Sequence, residues 1–284
     1  MTRRSEIPVL HVICTDDEIE REDAVARMTA VLRAGGPSIA LHLRPRRASA
    51  RRCRDLARAL STSGDRTGGW IVINGRIDVA MLVDADAVQL GRGALPIEAA
   101  RALLDARCAI GVSVHSEAEA RRADAVGADF LLMGTIFSTP SHPGTAGSGV
   151  SEIRACAGMN APLIAIGGID ETRIAAVMEA GAAGVAVIRA VWEEDDPAAA
   201  ASRLVAVLNA TGERNGTGMH IEVNGREFEL ESGGTVRGLL EELGLDPRMV
   251  VVERNREIIR RDDLDDVHVA EGDSYEIVQF VGGG

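Results

Sequence analysis

The chain has 284 residues, 46% of them hydrophobic and only 2% aromatic, with a formal net charge of −12. That apolar content supports a buried core and excludes a disordered chain, while the acidic balance excludes a face built for nucleic-acid phosphates. Every one of the 31 Lys+Arg residues is an arginine, so chemistry through a lysine amine is excluded.

Cys14, Cys53, Cys108 and Cys156 are scattered, with no Cys-x-x-Cys pair, the pattern of reduced, buried thiols. No apolar run is long enough to span a bilayer, and the opening Met-Thr-Arg-Arg-Ser has no signal-peptide core. A cytoplasmic protein with no membrane partner is expected.

Along the first two-thirds, apolar β-branched runs occur at 8–15, 38–44, 69–75, 87–91, 109–115, 130–137, 162–168 and 184–190. Amphipathic Ala/Arg/Glu-rich stretches, such as 97–106, 117–126 and 171–180, lie between them, as helices covering a parallel sheet should. Eight such units in about 200 residues predict a (β/α)8 TIM barrel over residues 1–208. An open doubly wound sheet would carry a Gly-rich turn after its first strand; here that turn reads Cys14-Thr15-Asp16-Asp17.

Residues 209–218 are polar and Gly-rich and predict a flexible linker. Residues 219–284 then read as a small α+β domain. Strands are expected at 219–223 and 227–231 around an Asn224-Gly225 hairpin turn. A helix is expected over 235–243, with Thr235 as N-cap and Gly244 past its end, followed by strands at 249–253 and 275–281. This tail carries 16 acidic and 7 basic residues. A last strand that runs into Gly282-Gly283-Gly284 describes a ubiquitin-like β-grasp whose terminus can thread a narrow channel, since glycine has no side chain to obstruct it.

The tail resembles the thiamin-pathway sulfur carrier ThiS, through Ile221-Glu-Val-Asn-Gly225, Thr235-Val-x-x-Leu-Leu240, Val250-Val-Val-Glu-Arg-Asn255 and the glycine end. The molybdenum-pathway carrier has a similar fold and tail. The resemblance implies that the Gly283-Gly284 end is activated by an E1-like (ThiF-like) adenylyltransferase, becomes a thiocarboxylate, and gives its sulfur to a ThiG-like thiazole synthase.

The barrel resembles the superfamily of thiamin phosphate synthase and the thiazole tautomerase TenI. Gly111-Val-Ser-Val-His115, Gly127-Ala-Asp-Phe130, Gly134-Thr-Ile-Phe137, Ile164-Ala-Ile-Gly-Gly-Ile169 and Gly184-Val-Ala-Val-Ile188 carry the likeness. It implies a phosphorylated thiazole substrate, a homodimer through the barrel, and a phosphate site at Gly167, Gly168, Ile188 and Arg189.

The branch is read from departures. Synthases hold Mg²⁺ through an Asn-Asp pair after strand three and an Asp after strand four. Here those stretches read Asn74-Gly75 and Gly91-Arg92-Gly93-Ala94, and the synthase Gln-x-Arg-x-Lys reads His42-Leu-Arg-Pro-Arg46. These changes favour a tautomerase with no metal or other cofactor, which needs one group to give and take a proton. The tautomerase histidine position is Thr135, so His142 and His115 are the candidate proton carriers beside it. Arg44, Arg46, Asn74, Ser113, Thr139 and Ser141 are expected to bind substrate. The alternatives kept are a thiamin phosphate synthase, with Mg²⁺, and a non-catalytic docking scaffold for the carrier. A fused tautomerase and sulfur donor would serve one partner, with a ten-residue flexible linker spanning roughly 15–20 Å.

Overall fold

The computed structural model describes residues 7–62, 68–139, 147–215, 219–230, 234–265, 267–270 and 272–279. The chain divides into two compact units, Met1–Thr211 and Gly212–Gly284.

The first unit is a closed barrel of eight parallel strands in sequence order. They are β1 (Leu10–Cys14), β2 (Ile39–Leu43), β3 (Trp70–Asn74), β4 (Ala87–Leu90), β5 (Ala109–Val114), β6 (Phe130–Gly134), β7 (Leu163–Ile166) and β8 (Gly184–Val187). β8 closes on β1 with Val185 opposite Leu10. All eight lie inside the predicted apolar runs. Each run overshot at its C-terminal end, because the residues there leave the ladder to form the loops of the barrel mouth.

Alternation along the strands divides the core in two. Outward residues such as Leu10, Val12, Leu41, Ile71 and Leu131 pack under the helices. Inward residues include Ile13, Trp70, Val72, Phe130, Leu132 and Ile164, with small Ala40, Ala87, Ala109 and Ala186 among them. The alanines make room for the few large rings. Gly111 does the same, since a Cβ there would stand 2.2 Å from the Phe130 ring. Three buried polar side chains share this interior: Gln89, and the fully buried His11 and His42.

The last helix of the unit, Pro197–Asn215, corrects the linker expectation, since 209–215 continues it. Once nucleated, a helix extends through an unfavourable residue such as Gly212 at a cost of only about 1 kcal/mol. The Thr211 hydroxyl donates back to the Val207 carbonyl at 2.8 Å. Residues 216–218 lie outside the described residues.

The second unit is a five-stranded sheet of β9 (Met219–Val223), β10 (Arg226–Leu230), β11 (Val250–Arg254), β12 (Glu257–Ile259) and β13 (Ser274–Gln279). Its order is β10-β9-β13-β11-β12, with β13 parallel to β9 in the centre. Asn224 and Gly225 both take positive φ, 51° and 73°, as the tight hairpin requires. The helix Val236–Glu242 is capped by the Thr235 hydroxyl, which accepts from Gly238 N–H. Its Val236, Leu239 and Leu240 pack on Val250, Val252, Tyr275 and Ile277. β12 was absent from the sequence expectation. It is three residues long, a paired edge after the Asn255-Arg256 turn, too short for a period of two to register. No helix among the described residues is long and apolar enough to cross a membrane.

Candidate active site

At the C-terminal ends of the barrel strands lies a cleft of about 630 Å³, where loops after parallel strands converge. Arg44, Asn74, Ser113, His115, Thr135, Thr139, Gly167, Gly168, Ile188 and Arg189 line it. Arg46 is on the same loop as Arg44 but does not line the cleft. Ser141 and His142 lie outside the described residues, as do Gly283 and Gly284.

The β7 and β8 side is shaped by backbone. Gly167 and Gly168 have φ of 107° and 63°, and a Cβ on Gly168 would come within 2.7 Å of the Ser138 carbonyl. Only glycine makes this turn without strain. Arg173 fastens it, donating to the Gly168 carbonyl and stacking on the Phe137 ring at 4.9 Å. Ile188 follows β8 and leads into a single helical turn, Arg189–Trp192. Backbone amides around such turns, with an arginine beside them, can receive phosphate oxygens.

The β2 to β4 side is cationic. Arg44 makes no ion pair among the described residues. Its guanidinium holds its proton less tightly than usual, through burial and then Arg46 alongside, with Asp16 acting the other way. Arg92 also lines the cleft, and its charge is 3.9 Å from Glu119, a loose and exposed pairing. The loop with Arg44 and Arg46 is tied down from β1: Asp16 Oδ1 accepts the backbone N–H groups of Arg46, Arg47 and Ala48 at 3.1, 2.9 and 2.9 Å.

Between these sides stand neutral groups. Ser113 accepts from the buried Gln89 amide at 3.0 Å. His115 is exposed, and its Nδ1–H donates to the Gly134 carbonyl, so a neutral ring offers Nε2 as its free nitrogen. Thr135 packs its methyl over Gly167, and its carbonyl accepts from Ser148 N–H at 2.9 Å. Its hydroxyl does not titrate near neutrality. Asn74 meets His42 at 3.0 Å.

The synthase expectation brings a Mg²⁺ ion, which takes oxygen ligands, usually carboxylates with substrate phosphate. The residues at the β3 and β4 ends do not fit one. Gly75, Gly91, Arg92 and Gly93 stand there, and the cleft carboxylates Asp170, Glu193 and Glu194 belong to the β7 and β8 side. Among the described residues no three His, Cys, Asp or Glu side chains group as metal ligands.

Arg92, Arg173 and Asp16 were missed as site residues in the sequence. In the sequence Arg92 stands where the family carboxylate is missing, and a charge between two glycines in a strand-end loop is itself a legible signal. Asp16 was visible only as part of a turn.

The barrel mouth thus sets a glycine-and-amide turn on one side and arginines on the other, at the C-terminal ends of the strands of a closed (β/α)8 barrel. Residues 10–191 match the thiamine monophosphate synthase family and residues 215–284 the ThiS family. The chain therefore belongs to the thiamine monophosphate synthase family, with a ThiS-family domain fused behind the barrel. Thiamine-phosphate synthase from Chlorobium luteolum is 41% identical over 212 residues, covering 74% of this chain and 97% of the relative. That from Streptomyces avermitilis is 40% identical over 192 residues, 66% of this chain and 88% of the relative. Among solved structures, thiamine phosphate pyrophosphorylase from Pyrococcus furiosus superposes with a TM-score of 0.62 at 31% identity, covering 72% of this chain and 96% of that one.

These relatives overturn the isomerase expectation for the barrel, because they are named thiamine-phosphate synthases. The loss of the two metal carboxylates does not by itself mark the isomerase branch.

Proposed function

We propose that the barrel joins a diphosphate-activated aminopyrimidine to a phosphorylated thiazole, and that the tail carries sulfur for building that thiazole. The observation that carries the barrel reading is the pair of anion stations on opposite sides of one cleft, Gly167–Gly168 with Arg189, and Arg44 with Arg92. A condensation of two anionic substrates uses both stations. The activity for which the relatives are named supports the same choice.

In this reading the Gly167–Gly168 turn and the Ile188–Arg189 step hold the thiazole phosphate. Arg44 and Arg92 hold the diphosphate. As the carbon–oxygen bond to the diphosphate breaks and a carbon–nitrogen bond to the thiazole forms, negative charge grows on the leaving group. Fixed guanidinium charges there favour the transition state over the ground state. Ser113 and His115 lie between the two stations and orient the substrates. No proton transfer is required of Thr135.

For the tail, Gly284 would be adenylated by an E1-like enzyme and converted to a thiocarboxylate for a thiazole synthase. This rests on the ThiS-family match over 215–284.

Incubation of the full chain with pyrimidine diphosphate and thiazole phosphate in Mg²⁺ buffer should yield thiamin phosphate and free diphosphate. Absence of both products would overturn the transferase reading. With an E1-like activator, ATP and a sulfur source, intact-mass analysis should show one oxygen replaced by sulfur, and deletion of Gly283 and Gly284 should abolish it.

A further inference from the structure

Two histidines sealed inside the barrel bear on the amide that faces the cleft. His11 on β1 and His42 on β2 are fully buried and neighbour each other across the strand pair. Three contacts link them into a chain. His11 Nε2 lies 3.0 Å from the Pro8 carbonyl, His11 Nδ1 lies 2.8 Å from His42 Nε2, and His42 Nδ1 lies 3.0 Å from the Asn74 side-chain amide at the position assigned to Oδ1, which Nδ2 would occupy after a half-turn of that amide. Asn74 is half-buried and lines the cleft.

The proton count along this chain is determined from its inner end. A carbonyl oxygen only accepts, so His11 Nε2 must carry a proton. A neutral imidazole has one N–H, so His11 Nδ1 is a lone pair and His42 Nε2 donates to it. His42 Nδ1 is then also a lone pair, and the group that meets it must be an N–H donor. Asn74 can supply one only through Nδ2, which leaves Oδ1 on the far side of the amide. Oxygen and nitrogen of the amide exchange by a half-turn about its last bond, and the hydrogen-bond network selects between the two.

The opposite orientation, with Oδ1 toward His42, demands a proton on His42 Nδ1 and two on His11. That is an imidazolium enclosed by Phe130 and the barrel wall. Burial disfavours such a charge. It lowers the affinity of His11 for a proton well below the ordinary value, and His42 beside it adds to the effect while the Pro8 carbonyl opposes it. Burial also pushes His42 down to about 3, outweighing even a hydrogen bond given to Asn74 Oδ1, and the Arg44 charge assists it. Among the described residues no carboxylate contacts either ring.

We infer that His11 and His42 form a neutral positioning couple that holds Asn74 with its carbonyl oxygen toward the cleft, so that the end of β3 selects a substrate group donating an N–H. The identity of that group rests on the transferase reading: of the two proposed substrates, the aminopyrimidine brings an exocyclic amine and the thiazole phosphate ring brings no N–H. Asn74 is thereby a specificity residue, and the two histidines act through it.

The test begins without substrate. In the full chain labelled with ¹⁵N-histidine, two-bond ¹H–¹⁵N correlation at pH 7 reports the tautomer of each ring. Both His11 and His42 should be neutral with the proton on Nε2. A proton on His42 Nδ1 would overturn the positioning couple. Asn74→Asp offers an acceptor in place of the donor, and His42 Nδ1 should then gain a proton; an unchanged His42 would also overturn it. The second arm compares the pyrimidine diphosphate with an analogue whose amino group is replaced by methyl. Wild type should prefer the amine by at least about tenfold in kcat/KM, and Asn74→Ala should lose most of that preference. Loss of turnover with both substrates would count against the transferase reading, whereas intact turnover without preference would overturn the specificity role.

Discussion

The Asp16 carboxylate accepts the backbone N–H of Ala48 at 2.9 Å, and through this bond and its neighbours one strand's loop holds the next strand's arginines. Asp16 is only 7% exposed, so its charge is satisfied by amides at Arg46, Arg47 and Ala48 and by the Arg47 guanidinium at 3.6 Å. Its acidity has two opposed causes: burial would raise its pKa, and the three amides with Arg47 outweigh that and leave it lowered.

Asp16→Ala removes three charge-assisted hydrogen bonds and frees the loop bearing Arg44. We expect a loss of about 2 kcal/mol in stability and a raised KM for the diphosphate substrate, with KM for thiazole phosphate little changed. Asp16→Asn, whose oxygen still accepts, should recover much of both. Thermal melts and steady-state kinetics on the three proteins check this.

The two anion stations can be separated by substitution. Arg44→Met should weaken the diphosphate partner, and with it the leaving-group stabilisation, by about 1.5–3 kcal/mol, the worth of a hydrogen bond to a charged group. Gly168→Ala should weaken the thiazole phosphate instead, because its φ of 63° strains any side chain and its Cβ would press the Ser138 carbonyl. Titration of each variant with inorganic diphosphate and with thiazole phosphate measures the split. Equal losses for both ligands in both variants would remove the two-station assignment.

Acid should loosen the tail domain through Asp273. This carboxylate is 5% exposed, accepts from Ala270 N–H, Asn255 and Tyr275 at 2.7 to 3.0 Å, and forms an ion pair with Arg254 at 2.7 Å. Burial would raise its pKa; the hydrogen bonds together more than offset this and lower it. A folded pKa below the unfolded one adds stability that is present above the unfolded pKa and lost as pH falls through the folded value. Asp273→Asn should therefore lower stability at pH 7 and flatten its dependence below about pH 4. Hydrogen exchange of peptides spanning β11 and β13 in the full chain reports it.

The four thiols should be inert while the chain is folded. Cys14, Cys53, Cys108 and Cys156 are all buried, and none is in a disulfide. Burial pushes Cys53 up to about 11 and raises Cys14 and Cys156 as well, so little thiolate forms at pH 8. An aromatic disulfide reagent should react with none of them quickly in buffer and with four in denaturant. Rapid reaction of a thiol in the native chain would contradict the burial.

Much of the architecture was written in local pattern. Eight apolar runs with helical stretches between them, and Asn224-Gly225 between two alternating strands, are signals carried within a dozen residues each. The glycines of the mouth were equally legible, because Gly167 and Gly168 answer to a backbone angle that only glycine takes freely. The junction was not. Residues 209–215 are polar and contain Gly212, and their helical state depends on continuation from a helix already begun at Pro197.

By itself, then, the sequence determined the two folds, their order and the loops that carry the mouth, since period and turn chemistry are local properties. Tertiary structure decided what the polar residues do there. His11 reads as one polar position in an apolar strand, and His42 reads as a lost glutamine. Only the parallel pairing of β1 with β2 and of β2 with β3 sets the two rings 2.8 Å apart with Pro8 at one end and Asn74 at the other. Closure of the barrel turns Arg44 and Arg92, 48 positions apart, into one side of a cleft that Gly168 and Arg189 complete from across it. Charge and hydrogen bonding act through distance in space, and that distance is set by strand pairing and closure of the barrel.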